Sequence, residues 1–113
     1  MIIQDYAFGS MTIDGIRYDS DLKTFPDHIA SHWWRKEGHS LELEDITDLL
    51  ESAPRILIIG TGYSGFMKVP DDLRKYIADQ GVTLIIERTV DAWKTYNNLS
   101  ASRKVVAAFH LTC

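Results

Sequence analysis

Cysteine is almost missing: Cys113 is the only one in 113 residues, which rules out a disulfide within the chain and any all-cysteine metal cage. Proline is as sparse, with Pro26, Pro54 and Pro70 all outside the apolar runs. No apolar stretch approaches the ~20 residues that a membrane-spanning helix needs. A basic excess is missing too. Twelve Lys plus Arg stand against sixteen Asp plus Glu, a net charge of −4, so no global field draws the chain toward nucleic acid or anionic lipid. Met1-Ile2-Ile3-Gln4-Asp5-Tyr6 has neither a basic start nor an apolar core, which predicts a cytoplasmic protein rather than a secreted one. There is no linker, repeat or low-complexity segment.

What is present matches an ordinary globular domain. Hydrophobic residues at 45% and charged residues at 25% lie far from the disordered regime, and the length suits one domain, residues 1–113. The first forty residues read as β-rich. Asp14-Gly15 between two alternating runs predicts a tight hairpin, and 28–34 is taken as strand despite Pro26. Beyond Glu42 the period changes: Ile46, Leu49 and Leu50 predict a short helix over 45–52, stopped by Pro54. Ile56-Leu57-Ile58-Ile59 reads as a strand buried on both faces. Pro70, followed by Asp71 and Asp72, opens a helix that ends at Gly81. A second buried strand covers 82–86. Thr89 is expected to cap a third helix, and 104–111 to form a closing strand. The chain is thus α/β, a β-rich N-terminal part followed by β-α-β-α-β, which calls for a mostly parallel sheet.

Gly60-Thr61-Gly62-Tyr63-Ser64-Gly65 satisfies G-x-G-x-x-G after an apolar strand, with Glu87 at the end of the next strand, close to a dinucleotide fingerprint. The register is wrong for it. That fingerprint starts its helix within the glycines, whereas 66–69 intervene here before Pro70, and 113 residues leave little room for a second mononucleotide half. A small anion held by the loop amides and Lys68 is the more economical ligand, and a purely structural turn is the simplest alternative. Gly62-Tyr63-Ser64-Gly65-Phe66 misses the nucleophile elbow because Phe66 replaces its second glycine.

The histidines are less informative. His28 and His32 on a strand stand about 13 Å apart, too far to share an ion, so no metal site is expected. His39 and His110 read as backbone-bonded or core residues before they read as bases. Trp33-Trp34 on a strand would send one ring inward and one outward. Glu42, Glu44, Asp45, Asp48 and Glu51 read as a solvated helix face.

Several segments occur in the order found in one small-domain family: Ile13-Asp14-Gly15-Ile16-Arg17-Tyr18, Trp34-Arg35-Lys36-Glu37-Gly38-His39, Ile58-Ile59-Gly60-Thr61-Gly62, Thr89-Val90-Asp91-Ala92-Trp93 and His110-Leu111-Thr112-Cys113. Over essentially its whole length the chain resembles the methanogen-type "Mth" domain of unknown function. Its relatives include an adipogenesis-associated protein and a mitochondrial assembly factor for respiratory complex I. The resemblance implies a three-layer α/β domain with a central mixed sheet, no established catalytic residue or cofactor, and action through protein association. This chain shows no targeting extension, so a complex I role does not transfer with the resemblance.

The expectation is a non-catalytic binding or assembly module with protein partners and a polar pocket for a small anionic ligand. Gly60, Thr61, Gly62, Tyr63, Lys68, Arg88 and Thr89 would line that pocket, because open α/β sheets place ligands at the carboxyl ends of their strands. Trp34, Arg35, His39 and His110 are secondary contributors. No catalytic residue, metal, cofactor or nucleic-acid partner is assigned, and a homo-oligomer is left open. The alternative is a small enzyme or nucleotide binder using the same loop, with Lys68 or Arg88 on phosphate and His39 or His110 moving protons.

Overall fold

Asp14 and Gly15 take φ angles of 48° and 82°, the left-handed pair that matches a two-residue hairpin to the twist of its strands. In the computed structural model, which describes residues 1–113, they close an antiparallel meander of β1 (Ile3–Ala7), β2 (Ser10–Ile13) and β3 (Ile16–Tyr18). Ile3, Met11 and Ile13 are buried, so the meander presents one apolar face to the rest of the domain. It forms a sheet of its own.

The second sheet holds β4 (Leu22–Thr24), β5 (Ile29–Ser31), β6 (Ile56–Thr61), β7 (Thr83–Glu87) and β8 (Val105–His110) in the order β5-β4-β8-β6-β7. β8, β6 and β7 are parallel, and β4 runs antiparallel to both of its neighbours. Every residue of β6 and β8 is buried. A strand buried on both faces needs covering layers on each side, and alternate side chains supply the contacts. Leu57 and Ile59 pack with Ile46 and Leu49 of α1 (Leu43–Glu51) and with Leu73 and Ile77 of α2 (Asp71–Asp79). Ile56 and Ile58 pack with Ala92 and Tyr96 of α3 (Thr89–Ser100) and with Ile3 and Ile13 of the meander. The result is a three-layer α/β domain with a mixed central sheet. No helix is long and apolar enough to cross a membrane.

Local structure departs from the sequence expectations in four places. The strand expected to be buried over 82–86 is β7, the edge strand of the sheet, which has a covered neighbour on one side only and is partly exposed. The strand expected over 28–34 ends at Ser31, and His32 takes φ 56°. The tryptophans therefore lie on a loop, yet they still divide: Trp33 is buried and Trp34 is 85% exposed. Thr89 is the first helical residue of α3, not its cap; Arg88 holds the cap position. Asp45 is not on a solvated face. It is buried, where its carboxylate accepts the amide of Glu42, the residue that caps α1, at 2.8 Å and that of Lys36 in the preceding loop at 3.3 Å.

Candidate functional site

The register of β4 against β8 pairs Leu22 with Phe109, which brings the residue before β4, Asp21, beside the end of β8. Asp21 Oδ2 lies 2.7 Å from His110 Nδ1, and Oδ1 accepts the Leu111 amide at 2.7 Å. Arg35, on the loop after β5, completes the cluster. Its Nη1 donates to Asp21 Oδ2 at 2.7 Å, and its Nη2 donates to the Gly38 carbonyl at 2.9 Å while lying 3.1 Å from His110 Nδ1. The Arg35 guanidinium also stacks 4.7 Å from the Trp33 ring centre. Its side chain is only 5% exposed, so it is a fixed structural charge rather than a free one.

Burial opposes ionisation of Asp21, but hydrogen bonds from His110, the Leu111 amide and Arg35 outweigh it and hold the carboxyl below its ordinary range. The ionised Asp21 carboxylate faces Nδ1 of the His110 ring. Nε2 is then the other face of the ring, buried and without a hydrogen-bond partner in the chain. Tyr6 donates its hydroxyl to the Leu111 carbonyl at 2.8 Å. Burial, with the charge of Asp21 and the neighbouring Tyr63, pushes its pKa up to about 12. Arg35, Asp21 and His110 form the floor of a cavity of about 340 Å³ whose wall includes Trp34, His32 and Thr112. Asp21 and Tyr6 escaped the sequence reading. Their partners are distant in the chain, and the only local signal was an acid placed directly before a short strand.

The glycine loop lies beside this cluster, and three of its amides are committed to the chain itself. Gly62 N donates to Thr89 Oγ1 at 2.9 Å, Tyr63 N to the Thr112 carbonyl at 2.7 Å, and Phe66 N to the Cys113 carbonyl at 2.9 Å. The Thr89 hydroxyl donates in turn to the His110 carbonyl at 2.7 Å. Glycine is required here by close approach. A Cβ on Gly60 would stand 2.8 Å from both Phe109 and Thr89 Oγ1; one on Gly62, whose φ is +107°, would stand 2.5 Å from the Cys113 backbone. Helix α2 starts only at Asp71, so its N-terminus does not address the loop; the first amide of α3, Thr89 N, does reach it and is spent on the Gly62 carbonyl at 3.0 Å.

The structure thus brings Gly60, Thr61, Gly62, Tyr63 and Thr89 together around residues 110–113. Lys68 is exposed and faces a separate groove of about 620 Å³ that it shares with Thr61, Gly65 and Arg74. Arg88 is exposed, with its stem against Gly65. Trp34, Arg35, His39 and His110 gather on the other side, the His39 ring standing between Phe66 and His110 at 6.3 and 5.8 Å. His28 and His32 are apart in role as well as place. His28 stacks on Phe25 at 4.4 Å, while the His32 amide takes Ser20 Oγ.

A family model described as a protein of unknown function (DUF498/DUF598) matches residues 3–110. The chain belongs to that family. It is 26% identical over 110 residues to NADH dehydrogenase [ubiquinone] 1 alpha subcomplex assembly factor 3 of Xenopus tropicalis, covering 96% of this chain and 59% of that protein. It therefore spans about three-fifths of that relative's length. A conserved hypothetical protein of Pyrococcus horikoshii shares the fold at a TM-score of 0.88, with 26% identity and 100% of both chains covered. A Mth938-like domain of Bordetella pertussis matches at 0.66, with 23% identity over 97% of this chain and 85% of that one. The Mth-type family suggested by the motifs and the three-layer architecture it implied both hold for this DUF498/DUF598 domain.

Proposed function

We propose that this domain is a non-catalytic binding module that assembles with a protein partner through the carboxyl edge of its five-stranded sheet. One observation carries the reading: Trp34, Phe66, Phe8 and Tyr63 are 85%, 58%, 57% and 48% exposed around the same edge. Phe8 packs on Tyr63 at 5.9 Å, Phe66 on His39, and Trp34 walls the cavity above His110. Large exposed apolar patches mark interaction sites, and aromatic anchors dominate interface energetics. The relative named as an assembly factor supports the class of activity, protein assembly. It supplies no partner for this chain.

The second part of the reading is a small anionic ligand in the groove beside Thr61 and Lys68. Because the Gly62, Tyr63 and Phe66 amides are taken by Thr89, Thr112 and Cys113, the positive charge there would come from Lys68 and Arg74. The reading places the domain in the cytoplasm and leaves a homo-oligomer compatible with partner binding. A small enzyme draws support only from the Asp21–His110 pair, and the burial of Nε2 weighs against proton transfer there.

The test is capture from native extract by the intact domain, run beside Trp34→Ala and Phe66→Ala. A reproducible protein lost with both variants supports the reading; equal recovery by wild type and variants overturns it. Thermal shift against phosphate checks the groove, since a ligand at 100 times its dissociation constant adds ~2.7 kcal/mol. No shift, or one unchanged by Lys68→Ala, removes the anion.

A further inference from the structure

Edge strands are where sheets recruit other chains, and folds normally blunt them with short length, bulges, charge or cover. The edges of this protein follow that rule with one exception. β3 and β5 have three residues each. β1 carries a register break between Ile3 and Asp5, and Asn97 caps it by accepting the Ile3 amide at 3.0 Å and donating to the Ile3 carbonyl at 2.7 Å. β7, Thr83-Leu84-Ile85-Ile86-Glu87, has neither the short length, the register break nor the cap, and its one charge, Glu87, stands at its end. It pairs with β6 in unbroken register from Thr83 to Glu87, contains no proline or lysine, and stays partly exposed from Leu84 to Glu87 while its β6 neighbour is fully buried.

Its outward backbone is defined by the ladder. The Thr83 amide donates to the Arg55 carbonyl at 3.0 Å. In a parallel pair the bonding residues then alternate, so Thr83, Ile85 and Glu87 face β6, and Leu84 and Ile86 direct their N–H and C=O groups away from the sheet. Those two positions are related by a two-fold through Ile85. In an antiparallel pairing about that axis, Leu84 of one copy faces Ile86 of the other and each pair exchanges both backbone bonds. Ile85 meets Ile85, and Glu87 meets Thr83. The charged Glu87-Arg88 end of each strand therefore lies beside the uncharged Val82-Thr83 end of the other, with no like charges opposed. Leu84 and Ile86 pack on the α2 side and Ile85 on the α3 side, so the pairing sets equivalent layers of the two copies side by side.

We propose that β7 is a self-pairing edge, and that its partner is a second copy of this chain joined antiparallel about Ile85 into one continuous sheet. It uses no residue of the aromatic edge, so it stands or falls apart from the partner-binding reading. The test is light scattering across a concentration series, with a cross-linking arm in a Cys113→Ser background. Wild type is expected to approach twice 12.9 kDa. Ile85→Cys should oxidise to a covalent dimer, because facing residues at a non-bonded antiparallel position have Cα atoms about 4.5 Å apart, within disulfide reach. Ile16→Cys, on exposed β3, should not. Leu84→Pro deletes an outward donor that the fold does not use and should shift the population to monomer while circular dichroism stays native. If that variant unfolds, amide exchange of wild type replaces it: Leu84 and Ile86 should gain protection as concentration rises.

A monomer at every soluble concentration overturns the proposal. So does a dimer in which Ile85→Cys and Ile16→Cys cross-link equally. Protection of Leu84 and Ile86 that appears only on adding a different protein would assign the edge to that partner and also overturn it.

Discussion

Asp21 Oδ2 lies 2.7 Å from His110 Nδ1 although the two residues are 89 positions apart in the chain. Asp21 is also the acceptor for Arg35 and for the Leu111 amide, so one carboxylate ties the start of β4, the end of β8 and the tryptophan loop to each other. The aromatic edge rests on this knot.

Asp21→Ala should therefore be among the most damaging single changes in the protein. It leaves Arg35, with a 5% exposed side chain, without its counter-charge, and removing one partner of a buried pair costs roughly 3–5 kcal/mol. Asp19→Ala is the matched control: Asp19 pairs with Arg17, but both side chains are about 70% exposed, and such a pair contributes at most ~1 kcal/mol. Urea midpoints at unchanged m-value measure both.

Stability should bend at both ends of the pH scale, for opposite reasons. The folded pKa of Asp21 is depressed, so its contribution is present above the ordinary carboxylate value and is lost as pH falls from about 3.8 through the folded pKa. Asp21→Asn should lose that part of the acid limb. The folded pKa of Tyr6 is raised from 10.0 to about 12, so its contribution is complete below pH 10.0 and is lost as pH rises toward 12. Tyr6→Phe should flatten that limb, and an ultraviolet phenolate titration of wild type should show a late-ionising tyrosine that the variant lacks.

The glycines should separate by what a Cβ would meet. Gly62→Ala combines φ +107° with contacts of 2.5 and 2.6 Å to Cys113 backbone, and should cost well over the ~1 kcal/mol of the backbone conformation alone. Gly15→Ala shares a positive φ, +82°, but meets nothing within 4 Å, and should cost about that ~1 kcal/mol. Gly38→Ala, with neither restriction, should fall within ~0.5 kcal/mol of wild type. Thermal midpoints in that order are expected.

This ordering also explains why the fold was more legible than the site. Asp14-Gly15 announces its hairpin because a local turn needs local residues, and the apolar run of β6 announces a strand buried on both faces, whereas the similar run over 82–86 belongs to the partly exposed edge strand β7. Gly60 and Gly62 are ambiguous, because a missing Cβ admits a phosphate or the protein's own backbone equally well. Only the packed positions of Phe109, Thr89 and Cys113 show which neighbour occupies the space. Asp21 gave only the faint signal of an acid before a short strand, since its partners are Arg35, on the loop after β5, and His110 and Leu111, the last two within reach only after β4 has paired with β8.

Trp34 offers the sharpest separation between folding and binding. With 85% of its surface exposed, the ring contributes little burial to the native state, and Trp34→Ala should change unfolding free energy by no more than ~0.5 kcal/mol. Trp33→Ala is its counterpart: Trp33 is buried and donates its indole N–H to the Asp45 carbonyl at 3.1 Å, so its loss should cost about 3–5 kcal/mol. If the carboxyl edge is the partner surface, Trp34→Ala should weaken association by at least ~2 kcal/mol, about thirtyfold, as truncation of an aromatic anchor does. Denaturation and calorimetric binding on the same preparations compare the two effects directly, and a Trp34→Ala protein that loses stability and affinity in proportion would count against a dedicated interface.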